Sequence, residues 1–124
     1  MTRRGLTWSL LSLLAILLAR RYVDVVEVRG RSMMPTLRPG DRLLVIRASA
    51  RIGDVVVALD PRDPGRELIK RVRAADASGV TLRGDNAAAS TDARVFGVVE
   101  AKAVQWRAVG RYWPPDRVGR LPLE

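Results

Sequence analysis

The chain has 124 residues, 48% apolar and 28% charged, which suits one domain with a modest core and is not the composition of a disordered chain. It holds no cysteine and no histidine, so disulfides, thiol nucleophiles, thiolate or imidazole metal sites and any Ser-His-Asp triad are excluded. The charge is +9 from 22 basic and 13 acidic residues, and the only lysines are Lys70 and Lys102, since every other basic residue is arginine. Arginine is effectively never deprotonated, so an amine base has two candidates.

Leu6 to Ala19 (LTWSLLSLLAILLA) carries no charge and is bracketed by Arg3-Arg4 and Arg20-Arg21. As a helix it rises roughly 21 Å, short of a ~30 Å hydrocarbon core. A signal-peptide core is disfavoured because Leu17-Leu18-Ala19 lacks a small-x-small cleavage pattern. A buried core helix and an interfacial helix are the other readings. The stretch is apolar all round, with arginines able to snorkel and Trp8 suited to headgroup level, which favours a short retained membrane anchor over residues 1–21. Both flanks are basic, so charge does not set the orientation.

From Tyr22 the pattern turns to short β-type runs: Tyr22 to Val28, Arg42 to Arg47, Asp54 to Leu59 and Glu67 to Val72. Pro39-Gly40-Asp41, Gly53-Asp54, Pro61 to Gly65, Ser78-Gly79 and Gly84-Asp85-Asn86 read as turns. Val95 to Val109 has room for one or two more strands, and the proline- and arginine-rich tail, residues 112–124, reads as irregular. No helix is expected after the anchor. The reading is an all-β domain over residues 22–111, a single sheet system or barrel. No basic stripe with interleaved aromatics is present, so nucleic acid is not expected as a partner.

Three places could carry chemistry. Ser32 lies in Val28-Arg29-Gly30-Arg31-Ser32-Met33-Met34-Pro35-Thr36-Leu37, where a strand end could present the hydroxyl with its own N–H free for an oxyanion. A plain strand-to-loop boundary explains the same residues. Lys70 sits inside the apolar run Leu68-Ile69-Lys70-Arg71-Val72, where burial could lower its pKa, although a solvent-facing strand lysine is the ordinary alternative. Asp92 and Arg94, two apart, could pair and brace a loop or form an incidental surface pair.

In this order, Ser32-Met33-Met34-Pro35-Thr36-Leu37, Pro39-Gly40-Asp41, Gly53 to Val57, Ile69 to Val72, and Gly84-Asp85-Asn86 with Ser90, Asp92, Arg94 and Gly97 resemble the bacterial type I signal peptidases, serine proteases with a Ser-Lys dyad. The resemblance implies a compact β-barrel-like catalytic core behind a membrane-anchor helix. It implies Ser32 as nucleophile, Lys70 as base, Ser90 orienting the lysine, Asp92 and Arg94 as a loop-propping pair, and Gly84 in support. Gly30 matches a position that in some members is a serine donating to the oxyanion. Ala93 replaces a usual serine, and only Arg73 to Arg83 separates the lysine block from Gly84, a minimal core. The branch with histidine in place of lysine is excluded by a histidine-free chain.

The implied substrates are preprotein signal peptides with small residues before the cut, bound extended, with Val28, Met33, Leu37 and Ile69 lining the pockets. No cofactor or metal is implied. The implied location is the cell membrane, single-pass, with the catalytic domain extracytoplasmic and the lipid bilayer a partner. Alternatives are a dedicated maturation protease of the nickel superoxide dismutase type and an inactive lipid-binding β module. Self-cleaving repressor proteases are a further Ser-Lys relative, but the N-terminal segment cannot supply their DNA-binding domain.

Overall fold

The computed structural model describes residues 3–122. A helix α1 (Arg3–Tyr22) leads into strands β1 (Val23–Glu27), β2 (Arg42–Ile46), β3 (Val55–Asp60), β4 (Asp63–Asp76) and β5 (Gly79–Arg83). A one-turn helix α2 (Ala93–Phe96), a long strand β6 (Val104–Trp113) and a short strand β7 (Gly119–Arg120) complete the order. The strands form one antiparallel sheet, β1-β2-β6-β3-β4-β5, with β7 added on β6.

β3 organises the core because it is buried on both faces. Alternation sends Val55 and Val57 into one cluster with Val28, Met33, Leu37, Leu43 and Val45. It sends Val56 and Ala58 into a second cluster with Val72, Val80, Leu82 and Val99. That is why Val55 to Leu59 is an unbroken apolar run, whereas β2 alternates buried and exposed residues.

The four strands expected before residue 73 are present, with shifted ends. Tyr22 ends α1 and does not open β1. β4 starts at Asp63, inside the stretch expected as a turn, because the Asp60 carboxylate accepts from the Arg62 N–H at 2.9 Å and its guanidinium at 3.0 Å, closing the hairpin in two residues. β5 was not expected at all; it fits between two turn signals and gains a bridge from Val80 to Val99. Val95 and Phe96 are helical, not extended, since Asp92 caps α2, and a single strand follows from Val104. The tail is irregular only in part: Tyr112 and Trp113 belong to β6, β7 pairs with Gly110 and Arg111, and the tail's last two residues lie outside the described residues.

Two larger expectations are corrected. The sheet does not close into a barrel: among the described residues no strand pairs with the outer edge of β1, or with that of β4 before Arg71. These two edges line a single groove from opposite sides, so the space that pairing would fill is open. The single-pass span expected of the N-terminal segment is not supported by α1. Among the described residues no helix is long and apolar enough to cross a membrane, because four arginines crowd the two ends of this one. α1 buries none of its residues and is fixed through its C-terminal carbonyls, where Arg47 donates to Tyr22 through its N–H at 2.9 Å and to Arg21 through Nε at 2.6 Å.

Candidate active site

The groove has a volume of about 780 Å³. One wall is residues 26–33, the end of β1 and the turn that follows. The other is made by residues from Arg62 to Lys70, on β4 and just before it, and Val57, Ala89 and Thr91 also line the groove. Ser32 and Lys70 both line it, brought together from positions 38 apart in sequence.

Ser32 is half-buried at the start of a turn closed by Met34 N–H on the Arg31 carbonyl at 3.2 Å and Leu37 N–H on the Met33 carbonyl at 2.9 Å. Just before it, Gly30 has φ +75° and open space where a Cβ would stand, so the left-handed backbone is what favours glycine there. The Ser32 carbonyl accepts from Asn86 N–H at 2.8 Å, and the Arg31 carbonyl from Asn86 Nδ2 at 3.1 Å. The Ser32 N–H has no partner among the described residues.

Lys70 lies opposite Val56 on β3 and is only 4% exposed. Its amine donates to Ser90 Oγ at 3.0 Å. Ser90 in turn donates to Asp92 Oδ2 at 2.9 Å. A serine hydroxyl has one proton, and Asp92 takes it, so toward lysine Ser90 can only accept. A neutral Lys70 amine therefore spends one N–H on Ser90 and keeps its lone pair for another proton donor. Burial pushes the Lys70 pKa down; the Asp92 charge opposes this, and Arg66 and Arg94 add to the lowering.

Asp92 is fully buried and accepts from Gly84 N–H at 3.0 Å, Arg94 Nε at 2.9 Å and Arg94 Nη2 at 2.6 Å. Burial alone would raise its carboxyl pKa, but the hydrogen bonds from Arg94, Gly84 and Ser90 outweigh this and hold it well below the usual carboxylate range. Gly84 is required by space: a Cβ would run into Ser90 and the Ser32 carbonyl.

The groove residues expected to bind substrate divide. Val28 and Met33 line the groove while belonging to the first core cluster, and half-buried Ile69 lines it from β4. Leu37 is fully buried in that cluster and does not reach the groove. Lys102 lies far from such a setting, exposed and paired with Glu100 at 3.2 Å.

One cluster carried no expected role. Arg71, next to Lys70, makes a two-pronged pair with Asp85 at 2.9 and 2.8 Å, and Thr36 Oγ1 donates to Asp85 at 2.6 Å. Burial pushes the Asp85 carboxyl up, but Arg71 and Thr36 prevail and hold its pKa below the ordinary value. The signal was an arginine inside an apolar strand run, which needs a buried partner. Among the described residues no group of three or more potential ligands gathers that could hold a metal ion.

A turn with a half-buried serine and a strand with a desolvated amine, both lining one peptide-sized groove, make the kind of site found in hydrolases that work through a hydroxyl nucleophile. The sequence profile described as signal peptidase, peptidase S26, matches residues 1–83, so the chain belongs to that family. It is 33% identical to the mitochondrial ATP-independent inner membrane protease subunit 1a of Arabidopsis thaliana, over 82% of this chain and 77% of the relative. It is also similar to mitochondrial inner membrane protease subunit 2 of Danio rerio, 30% identical over 82% of this chain and 70% of the relative. Subunit 1 of Xenopus tropicalis is 31% identical over 79% and 74% of the two chains.

Proposed function

We propose that this protein is a membrane-associated serine endopeptidase that removes signal peptides through a Ser32–Lys70 dyad. The observation that carries the reading is the buried Lys70 amine, held by Ser90 in the groove that Ser32 also lines. Neutral Lys70 takes the Ser32 proton as Oγ attacks the scissile carbonyl, and the free Ser32 N–H meets the developing oxyanion. Lys70 then gives its proton to the departing amine, leaving an ester on Ser32. Water, activated by the same amine, hydrolyses that ester and restores both groups.

The substrate binds extended between the open edges of β1 and β4, forming strand-like hydrogen bonds to either wall. Val28, Met33 and Ile69 give an apolar floor suited to small side chains before the cut. α1, exposed and apolar between arginine pairs, rests at the bilayer interface and keeps the groove near the membrane, on the extracytoplasmic side where preproteins emerge.

The test is cleavage of a signal-peptide substrate with small residues one and three positions before the cut, by purified full-length protein in detergent. Ser32→Ala is expected to abolish turnover and Lys70→Ala to lower it by about 10²–10⁴-fold, each with the fold retained. Substantial turnover by purified Ser32→Ala would overturn the assignment.

A further inference from the structure

We propose that the C-terminal segment is a strap that positions the nucleophile, with Arg111 and Arg117 as positioning residues; this rests on Ser32 being that nucleophile. The loop carrying Ser32 leaves and rejoins the sheet at one point, where Val28 N–H donates to the Asp41 carbonyl at 2.7 Å and Gly40 N–H to the Val28 carbonyl at 2.9 Å. The Asp41 side chain, buried at that base, is charged and needs partners. It accepts from Arg38 N–H at 2.9 Å within the loop, and from Arg111 Nη1 at 3.0 Å and Arg117 Nη1 at 2.8 Å outside it. Arg111 also donates through Nη1 to the Thr36 carbonyl at 2.9 Å and through Nε to the Arg117 carbonyl at 2.7 Å.

Thr36 is thus gripped twice. Its hydroxyl is tied to Asp85, beside the Lys70 strand, and its carbonyl to Arg111. The end of the same segment reaches that strand, since Arg71 Nη1 donates to the Pro122 carbonyl at 3.0 Å. Leu121 packs on the cluster that contains Val28, Met33 and Leu37. One continuous stretch therefore holds both the loop that bears Ser32 and the strand that bears Lys70. Neither arginine lines the groove, so each acts through the placement of Ser32 and not on the substrate.

The experiment compares Arg117→Ala, Arg111→Ala and Arg111→Lys with wild type in full-length protein, below each variant's melting midpoint. A tested signal-peptide substrate supplies kcat, KM and the pH–rate profile. Arg117→Ala and Arg111→Ala are expected to lower kcat by about ten- to a hundredfold with KM little changed, because misplacing a reacting group by about 1 Å can cost that much. The acid limb of the profile should not move, since the surroundings of Lys70 are untouched. Arg111→Lys keeps the charge and one donor nitrogen but not the planar fork, and should recover part of the loss. If Arg111→Ala does not fold, Arg117→Ala and Arg111→Lys decide the matter. Folded variants with wild-type kcat would reduce the strap to a stability element and overturn the proposal, as would an acid limb that shifts. Turnover by Ser32→Ala in the same series would instead overturn the nucleophile assignment.

Discussion

Lys102 stands in the middle of a one-turn 3-10 helix, Ala101–Ala103, with its side chain 85% exposed, paired with a Glu100 that is itself in open water. Lys70 lies on β4 opposite Val56, 4% exposed, with its amine on a serine whose proton is already committed to Asp92. The same side chain is a solvated cation in one place and a desolvated amine in the other. What separates them is their place in the fold: Lys70 lies within a sheet strand with its side chain buried, whereas Lys102 lies in an exposed turn of helix outside the sheet. The neighbouring carboxylates differ in the same way. Glu100 faces water, whereas Asp92 is buried under four hydrogen-bond donors, counting Gly84 N–H, Ser90 Oγ, and the backbone and guanidinium of Arg94 as one each.

The largest effect should come from exchanging the roles of the two lysines. Lys70→Ala and Lys70→Arg are each expected to lower the cleavage rate by about 10²–10⁴-fold, the usual worth of a positioned base. Lys102→Ala should leave it within about twofold, the median surface ion pair being worth only ~0–1 kcal/mol. Steady-state cleavage assays on the three proteins check this, and equal losses at both positions would erase the contrast.

Gly84→Ala should come next. A methyl group at Gly84 must displace Ser90 or the Ser32 carbonyl, so a loss of about ten- to a hundredfold in kcat is expected without a change in the charge of any group. Gly30→Ala tests a different cause, since it has space and only backbone strain, on the order of 1 kcal/mol, and should be milder. Assays paired with melting curves separate the two.

Much of this was legible in the residues. β3 was legible because a strand buried on both faces is an unbroken apolar run, and the Asp92–Arg94 spacing anticipated their pair. β5 was not, because Val80-Thr81-Leu82 is too short a run to stand out; it is a strand only through its pairing with β4. Val95 and Phe96 have strand-like side chains, but the Asp92 cap and Gly97, with φ +75°, confine them to one helical turn. The open edges of β1 and β4 are a tertiary property that no local pattern reports. Arg71 with Asp85, and Asp41 with its two arginines, were hidden for the same reason. Ion pairs between residues 14 and 70 or more apart leave no periodic trace.

A smaller effect concerns stability at acid pH. The folded pKa of Asp92 is depressed, so its contribution is fully present above the unfolded value of ~3.9 and is lost as pH falls below it. Thermal melts from pH 6 to 2 should show wild type losing stability through this window faster than Asp92→Asn, which itself should be less stable at pH 6. Parallel curves would mean that Asp92 is unperturbed.

The smallest effect has the same slope in a more alkaline window, and there it is a cost that fades. A depressed lysine pKa means the unfolded chain binds more protons, so burying Lys70 costs stability below its folded pKa, and the cost fades as pH rises toward ~10.4. Lys70→Met, similar in volume, should be at least as stable as wild type at pH 7, with the difference shrinking by pH 10. Denaturant titrations at the two pH values read it directly.

The most direct test is the pH dependence of acylation at Ser32, followed in single-turnover experiments with an acylating substrate, with wild type and Lys102→Ala side by side. Both proteins should show a rate that rises through a single inflection below ~10.4 and then levels off, because the buried Lys70 amine is the base and Lys102 is not. A rate that climbs without a plateau up to pH 10 would mean that Lys70 is an ordinary solvated lysine, and an inflection that moves in Lys102→Ala would assign the base to the wrong amine.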